Sequence, residues 1–278
     1  MTTSFQPTNK NQTPSANSSP FKRYGITLAL LILLSSTTLL LSGCSEYVSP
    51  YNFDNLKNEQ GRFSYYEEGN LVSQTAVDVS DLQGKIDWER VSEDGIDFAM
   101  IRLGRRGYTE GNIYLDNYYY ENVSGVQSEG MPFGVYFFSQ AITEDEAIEE
   151  ANFVIKHLSG SGISYPVVFD HEPVESADGR ANNLSKNELT HITKAFCQKI
   201  EDAGYTPMIY GNAFDMERLN LNDLKGIDVW YAEYESSQPT GQFDFAMWQY
   251  SSTANVSGIN TQADLSILFK PLDSARSQ

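Results

Sequence analysis

Residues Tyr165 to Pro173 read Tyr-Pro-Val-Val-Phe-Asp-His-Glu-Pro. An apolar strand that ends abruptly in Asp-His-Glu is costly inside a core, because each buried charge must be paired or neutralised. Opening onto a cleft removes that cost. Side chains alternate along a strand, so Asp170 and Glu172 share one face and His171 takes the other. Two carboxylates on one face repel when both are ionised, which raises the pKa of at least one. A carboxyl that stays protonated beside one that stays ionised is what glycosidic cleavage requires. The first donates to the leaving oxygen, and the second supports the oxocarbenium-like transition state. Asp-x-Glu alone is a weak signal, and its place at a strand end strengthens it. Two further acids sit in comparable apolar settings, Asp78 and Asp264.

His171 between two carboxylates invites a metal-site reading, but neighbouring residues on a strand diverge and cannot chelate from one face. The chain has three histidines, and the other two, His157 and His191, fall on helical patterns. No metal and no cofactor are expected.

The elements that must carry these acids alternate. Strand-like runs occur at Ala76–Ser80, Phe98–Leu103, Pro132–Phe138, Pro166–Asp170 and Thr206–Tyr210. Helical patterns lie between them at Trp88–Glu93, Asp116–Glu129, Glu144–Leu158 and Ser185–Ala203. Thr143, three residues before Glu146, has the spacing of a helix cap. The last third holds three strand-like runs, Val229–Tyr234, Phe245–Tyr250 and Gln262–Leu268, with no room for full helices between them. This pattern predicts an α/β fold, an irregular TIM-like barrel of five βα units followed by three strands, with its site at the strand C-terminal ends. Tyr136, Phe138, Tyr210, Tyr234 and Trp248 fall near those ends, where aromatic rings could stack on sugar faces. Core packing is the plain alternative for each.

Seven ordered segments resemble the family 25 glycoside hydrolases, the Chalaropsis-type lysozymes: VDVSDLQGKIDW, FAMIRLGRRGY, PFGVYFFSQA, PVVFDHE, PMIYGN, WYAEY and MWQYSS, with Asp264 following. They span Val77 to about Leu268. The resemblance implies the same irregular barrel and hydrolysis of the β-1,4 bond between N-acetylmuramic acid and N-acetylglucosamine in peptidoglycan. It maps the family's four acidic site residues onto Asp78, Asp170, Glu172 and Asp264. Glu172 is then the general acid/base. Asp170 is either the nucleophile or the group that stabilises the substrate's own 2-acetamido group as it attacks. His171 stands where similar proteins commonly have Trp. A non-catalytic peptidoglycan-binding lipoprotein is the rival reading, and it predicts the loss of a site carboxylate; all four are present.

The ends bound where such chemistry would occur. Lys22 and Arg23 precede an apolar run from Tyr24 to Leu41, and Leu41-Ser42-Gly43-Cys44 resembles a bacterial lipobox. Residues 1–43 then form a lipoprotein signal peptide, Cys44 the lipidated residue, 44–61 a tether, 62–74 an N-terminal hairpin and 75–272 the catalytic barrel. The expected location is the outer face of the bacterial cell membrane. Removing residues 1–43 takes away Lys10, Lys22 and Arg23 and no acid, so 16 basic residues remain of 19 against 37 acidic ones, a net charge of −21. Such a surface excludes nucleic acid as a partner, since phosphate binding needs a basic face. Glycan strands and a membrane reached through a lipid anchor are the expected partners, and the expected state is a monomer. With Cys44 lipidated, Cys197 alone is left, on a helical pattern with Phe196 and Ile200, and no intrachain disulfide can form. Metabolic labelling with a fatty acid should mark the wild-type chain and fail to mark Cys44→Ala; an unlabelled wild type removes the lipobox reading.

Overall fold

The computed structural model describes residues 47–270, so the expected signal peptide, Cys44 and residues 271–278 lie outside the described residues. After a 3-10 turn at Phe53–Asn55 come three antiparallel strands, β1 (Leu56–Glu59), β2 (Arg62–Glu67) and β3 (Asn70–Leu71). Five βα steps follow. Strand β4 (Gln74–Val79) leads to α1 (Trp88–Glu93). Strand β5 (Phe98–Arg106) folds back as the short β6 (Ile113–Leu115) before α2 (Tyr119–Ser128). Then β7 (Phe133–Phe138) leads to α3 (Glu144–Leu158), β8 (Val167–Asp170) to α4 (Lys186–Asp202), and β9 (Pro207–Gly211) to α5 (Ala213–Glu217). The last strands, β10 (Asp228–Ala232), β11 (Met247–Ala254) and β12 (Ala263–Leu268), have no helix between them. Seven strands pair in parallel from β4 round to β11. Strand β12 runs antiparallel to both β11 and β4 and closes the ring. This is the barrel of five βα units and three strands that the sequence pattern predicts.

The helices start where side chains can satisfy their first backbone N–H groups. Thr143 accepts from the Glu146 N–H at the start of α3, and Ser185 with Glu188 forms a reciprocal capping box on α4. On α3 the buried stripe is Ala147, Ala151, Val154 and Leu158, while Ile148 is exposed.

Alternation along the strands sorts the core into two parts. Inward residues Ala76, Phe98, Met100, Val168, Met208, Trp230, Met247 and Leu268 fill the lower barrel. Gly134 makes this filling possible: a Cβ there would come within 2.8 Å of Met100 Sδ and 2.7 Å of the Pro166 carbonyl oxygen. Outward residues such as Val77, Ile101, Val135, Phe169 and Ile209 face the surrounding helices and belong to the larger apolar cluster.

Strands β11 and β12 have outward apolar residues but no helix to cover them. The N-terminal segment covers them instead, and this corrects the expected tether over 44–61. From Tyr47 onward that stretch is packed. The Tyr47 hydroxyl donates to the Phe243 carbonyl (2.8 Å) and the Tyr51 hydroxyl to the Phe245 carbonyl (2.9 Å). Tyr51 also stacks on Phe269, with ring centroids 4.3 Å apart. Residues 56–59, read from sequence as polar and aperiodic, pair with β2 as its antiparallel neighbour, extending the expected 62–74 hairpin to three strands. Phe63 reaches Trp248 (4.8 Å) and Tyr250 (5.0 Å) on the outer wall of β11.

Phe63→Ala is therefore expected to destabilise the barrel by about 3 kcal/mol or more, as large-to-small aromatic truncations in cores do. Denaturant unfolding of the two forms measures this; a loss under about 0.5 kcal/mol would show that the N-terminal sheet is not part of the barrel's core.

Candidate active site

The upper layer of the barrel interior is polar. Asp78 on β4 and Asp264 on β12 are directly opposite across the antiparallel ladder, and their side chains hydrogen-bond to each other. Burial pushes Asp78 well above the ordinary carboxylate range, and the charge of Asp264 adds to this. Asp264 is raised too, chiefly by burial. One proton shared between them resolves the conflict.

Asp170 and Glu172 form the second pair. Asp170 ends β8 inside the barrel, in register with Phe138 on β7 and Tyr210 on β9. Its side chain hydrogen-bonds that of Glu172, while Asp170 Oδ1 is buried with no partner among the described residues. Burial and the neighbouring Glu172 raise Asp170 strongly, with smaller contributions from Asp215 and Asp78. Burial also raises Glu172, followed by the charge of Asp215; the bond to Asp170 and the Arg218 guanidinium act in the opposite direction. The four acids named from sequence thus meet in one place as two hydrogen-bonded pairs.

His171 faces the other way, as alternation requires. It is buried on the outer side of β8 beside Phe169, with ring centroids 6.0 Å apart. Burial lowers its pKa to about 4, and Arg218 contributes in the same direction, so the ring is neutral at physiological pH.

A loop after β7 fixes the second pair through its backbone. Ser139 N–H donates to the Asp170 carbonyl (2.7 Å), and Gln140 Nε2 donates to the Glu172 carbonyl (2.9 Å). Ser139 is held in turn, since its hydroxyl donates to Glu150 Oε2 (2.6 Å), whose Oε1 accepts from Arg106 Nε (2.7 Å). Arg180 donates to the Gln140 carbonyl (3.2 Å) and binds both Glu146 carboxylate oxygens.

The expected sugar-stacking aromatics divide. Tyr136, inside β7, lies under the charges of Asp78, Asp170 and Asp264, with Arg102 as the nearby cation. Arg102 is itself held by Asp81 and Asp116. Phe138 is half-buried opposite Asp170. The Tyr210 and Tyr234 hydroxyls both donate to Gln249 Oε1, at 2.8 and 2.6 Å. Tyr234 is 42% exposed and offers an open ring at the lip. Trp248 is placed differently from the expectation of a cleft residue. It is fully buried on the outer wall, packed on Phe63 and Tyr250, with its Nε1 donating to the Glu233 carbonyl (2.9 Å). Alternation fixes only that Trp248 and Gln249 point apart, and Gln249 takes the inner face.

Gln249, Asp215, Arg218 and the 139–141 loop are contributors that sequence reasoning missed. Gln249 had a usable signal, since a lone amide between Trp248 and Tyr250 in an apolar strand needs an internal partner. Asp215 had a weaker one: it forms a capping box with Asn212 on α5, a helix of five residues. A cavity of about 870 Å³ bordered by Met216, Leu221, Tyr231 and Phe243 lies elsewhere, and none of the four acids lines it.

A barrel with five helical units, three bare strands and two coupled carboxyl pairs at its mouth defines an acid–base barrel of the glycoside-hydrolase type. Residues 77–259 match the family model described as Glycosyl hydrolases family 25, and the chain belongs to that family. An autolytic lysozyme of Clostridium acetobutylicum is 28% identical over 192 residues, a match covering 68% of this chain and 54% of that protein. This chain therefore matches only about half the length of that relative. The fold is shared with a bacterial lysozyme from Streptomyces coelicolor (TM-score 0.60, 23% identity, 73% of this chain and 94% of that one). It is also shared with a family 25 glycosyl hydrolase from Bacillus anthracis (TM-score 0.61, 17% identity, 79% of this chain and 98% of that one).

Glu150 gives a test of the supporting network. Burial raises its pKa from 4.5 to about 7, with Ser139 and Arg106 opposing. The folded state then holds a proton that the unfolded state has released, so stability falls as pH rises from about 4.5 to about 7 and stays lower above that. Removing this titration in Glu150→Gln should shrink the stability difference between pH 5 and pH 8 by about 2 kcal/mol. Denaturant melts of both forms at the two pH values measure it; an unchanged difference means that Glu150 titrates normally.

Proposed function

We propose that the protein is a muramidase, hydrolysing the β-1,4 bond between N-acetylmuramic acid and N-acetylglucosamine in peptidoglycan. The observation that carries this reading is the buried Asp170–Glu172 pair at the barrel mouth, faced by the Asp78–Asp264 pair. The lysozyme named among the relatives supports the substrate class.

In this mechanism Glu172 protonates the glycosidic oxygen and later takes a proton from the attacking water. Burial and the charge of Asp215 raise its pKa and so favour its protonated form. The hydrogen bond between the two carboxyls raises Asp170 and lowers Glu172, which favours the pair's proton on Asp170. For the acid step that proton passes across the bond to Glu172, leaving Asp170 as the anionic partner, with Oδ1 hydrogen-bonded to nothing among the described residues. That oxygen either attacks the anomeric carbon or holds the N–H of the substrate's 2-acetamido group as the acetamido oxygen attacks. Asp78 and Asp264 hold the opposite wall with one proton between them. Tyr234, Tyr210, Tyr136 and Phe138 offer ring surfaces to the sugars. The lipid anchor at Cys44 belongs to the same proposal and rests on the lipobox pattern; it would confine the activity to wall close to the outer membrane face.

Digestion of purified peptidoglycan followed by mass spectrometry should show new reducing ends on muramic acid, and reducing ends on glucosamine would overturn the reading. Glu172→Gln should lower the rate by about 10²- to 10⁴-fold with the fold intact. Activity should fall as pH rises through the raised Glu172 pKa, because the acid is then lost.

A further inference from the structure

Gln249 is buried in a layer otherwise made of acids and tyrosines. Its amide makes three hydrogen bonds on the site side. Oε1 accepts from Tyr210 (2.8 Å) and Tyr234 (2.6 Å), and Nε2 donates to Asp78 Oδ2 (2.9 Å). The two hydroxyls select the oxygen end of the amide, which leaves the N–H end for Asp78. The Asp78 carboxyl is thus held by the amide while it also hydrogen-bonds Asp264. The chain is continuous from the half-exposed Tyr234 at the lip to the Asp78–Asp264 pair.

We propose that Gln249 is a positioning residue for the reaction assigned above, fixing the orientation of the Asp78 carboxyl beside Asp264 and tying the Tyr234 ring to that pair. The inference rests on the muramidase reading for its kinetic consequences, while its effect on Asp78 is independent of them. A sugar stacked on Tyr234 is then registered against the acid layer through two hydrogen bonds, with no direct contact to Gln249 required. The N–H donated to Asp78 favours the ionised form of the pair. The other titratable or charged groups facing it are Tyr136 with Arg102 close by, Asp170, Glu172, Tyr210 and Tyr234.

Two variants separate the possibilities. Gln249→Met keeps the volume and removes all three hydrogen bonds. Gln249→Glu can still accept from both tyrosines but offers no N–H to Asp78 and adds a charge. Both should unfold at lower temperatures than wild type, because buried polar groups lose their partners and Gln249→Glu adds a charge beside Asp78, so each is assayed well below its own unfolding temperature. On a soluble glycan, kcat should fall about 10- to 100-fold in each, with a much smaller change in KM. The acidic limb of the kcat/KM profile should move to higher pH, further in Gln249→Glu than in Gln249→Met. Carboxyl ¹³C NMR titration of Asp78 and Asp264 should show the same upward shift without any substrate. Unchanged Asp78 titration and unchanged kcat in both variants overturn the proposal. If wild-type protein cleaves no peptidoglycan while the NMR shift is present, the muramidase reading fails and the positioning role of Gln249 stands. A variant that unfolds is replaced in the NMR titration by Tyr210→Phe with Tyr234→Phe, which frees the amide to turn. An unchanged Asp78 titration there also overturns the proposal.

Discussion

Four carboxyl groups brought out of water at the end of one barrel cannot all be charged. Desolvation of an ion costs several kcal/mol even after relaxation, and like charges in contact add to it. The chain meets this by pairing the groups, Asp78 with Asp264 and Asp170 with Glu172, so that each pair can keep one proton. Much of the surrounding structure holds that arrangement in place. Ser139 and Gln140 pin the backbone of one pair, and Gln249 donates to the other. Glu150 and Arg106 brace the loop from behind, at the cost of a second buried carboxyl whose own pKa is raised to about 7.

The same strands have a second constraint on their outer sides. A barrel strand buries both faces, so each needs an inner filling and an outer cover. Helices supply the cover for the first five units. Where they stop, the N-terminal sheet takes over, placing Phe63 against Trp248 and Tyr250. A segment outside the span matched to the family model thereby completes the hydrophobic wall behind Gln249.

The order of the strands, the rhythm of four helices and the four acids were legible in the sequence, because period and residue type are local properties. The separation of His171 from its neighbours was legible for the same reason. Trp248 shows the limit. Alternation stated that Trp248 and Tyr250 share a face, but which face is inner depends on what covers β11, and that cover comes from residues nearly two hundred positions earlier. Residues 47–61 were illegible for a related reason. Tyr47 and Tyr51 are single aromatics in a polar stretch, and their value comes from carbonyls at Phe243 and Phe245. Asp215 acts on the pair through charge from a helix too short to register as a periodic pattern.

The clasp formed by Tyr47 and Tyr51 has a mechanical meaning. Tension applied to the chain ahead of residue 47 meets two hydroxyl–carbonyl bonds and the Tyr51–Phe269 stack before it reaches any barrel strand. Behind them, the antiparallel ladder of β1, β2 and β3 would have to open before strain reached Gln74 and the strand that bears Asp78. The N-terminal sheet is thus a strain relief, isolating the geometry of the carboxyl pairs from forces on the chain ahead of it.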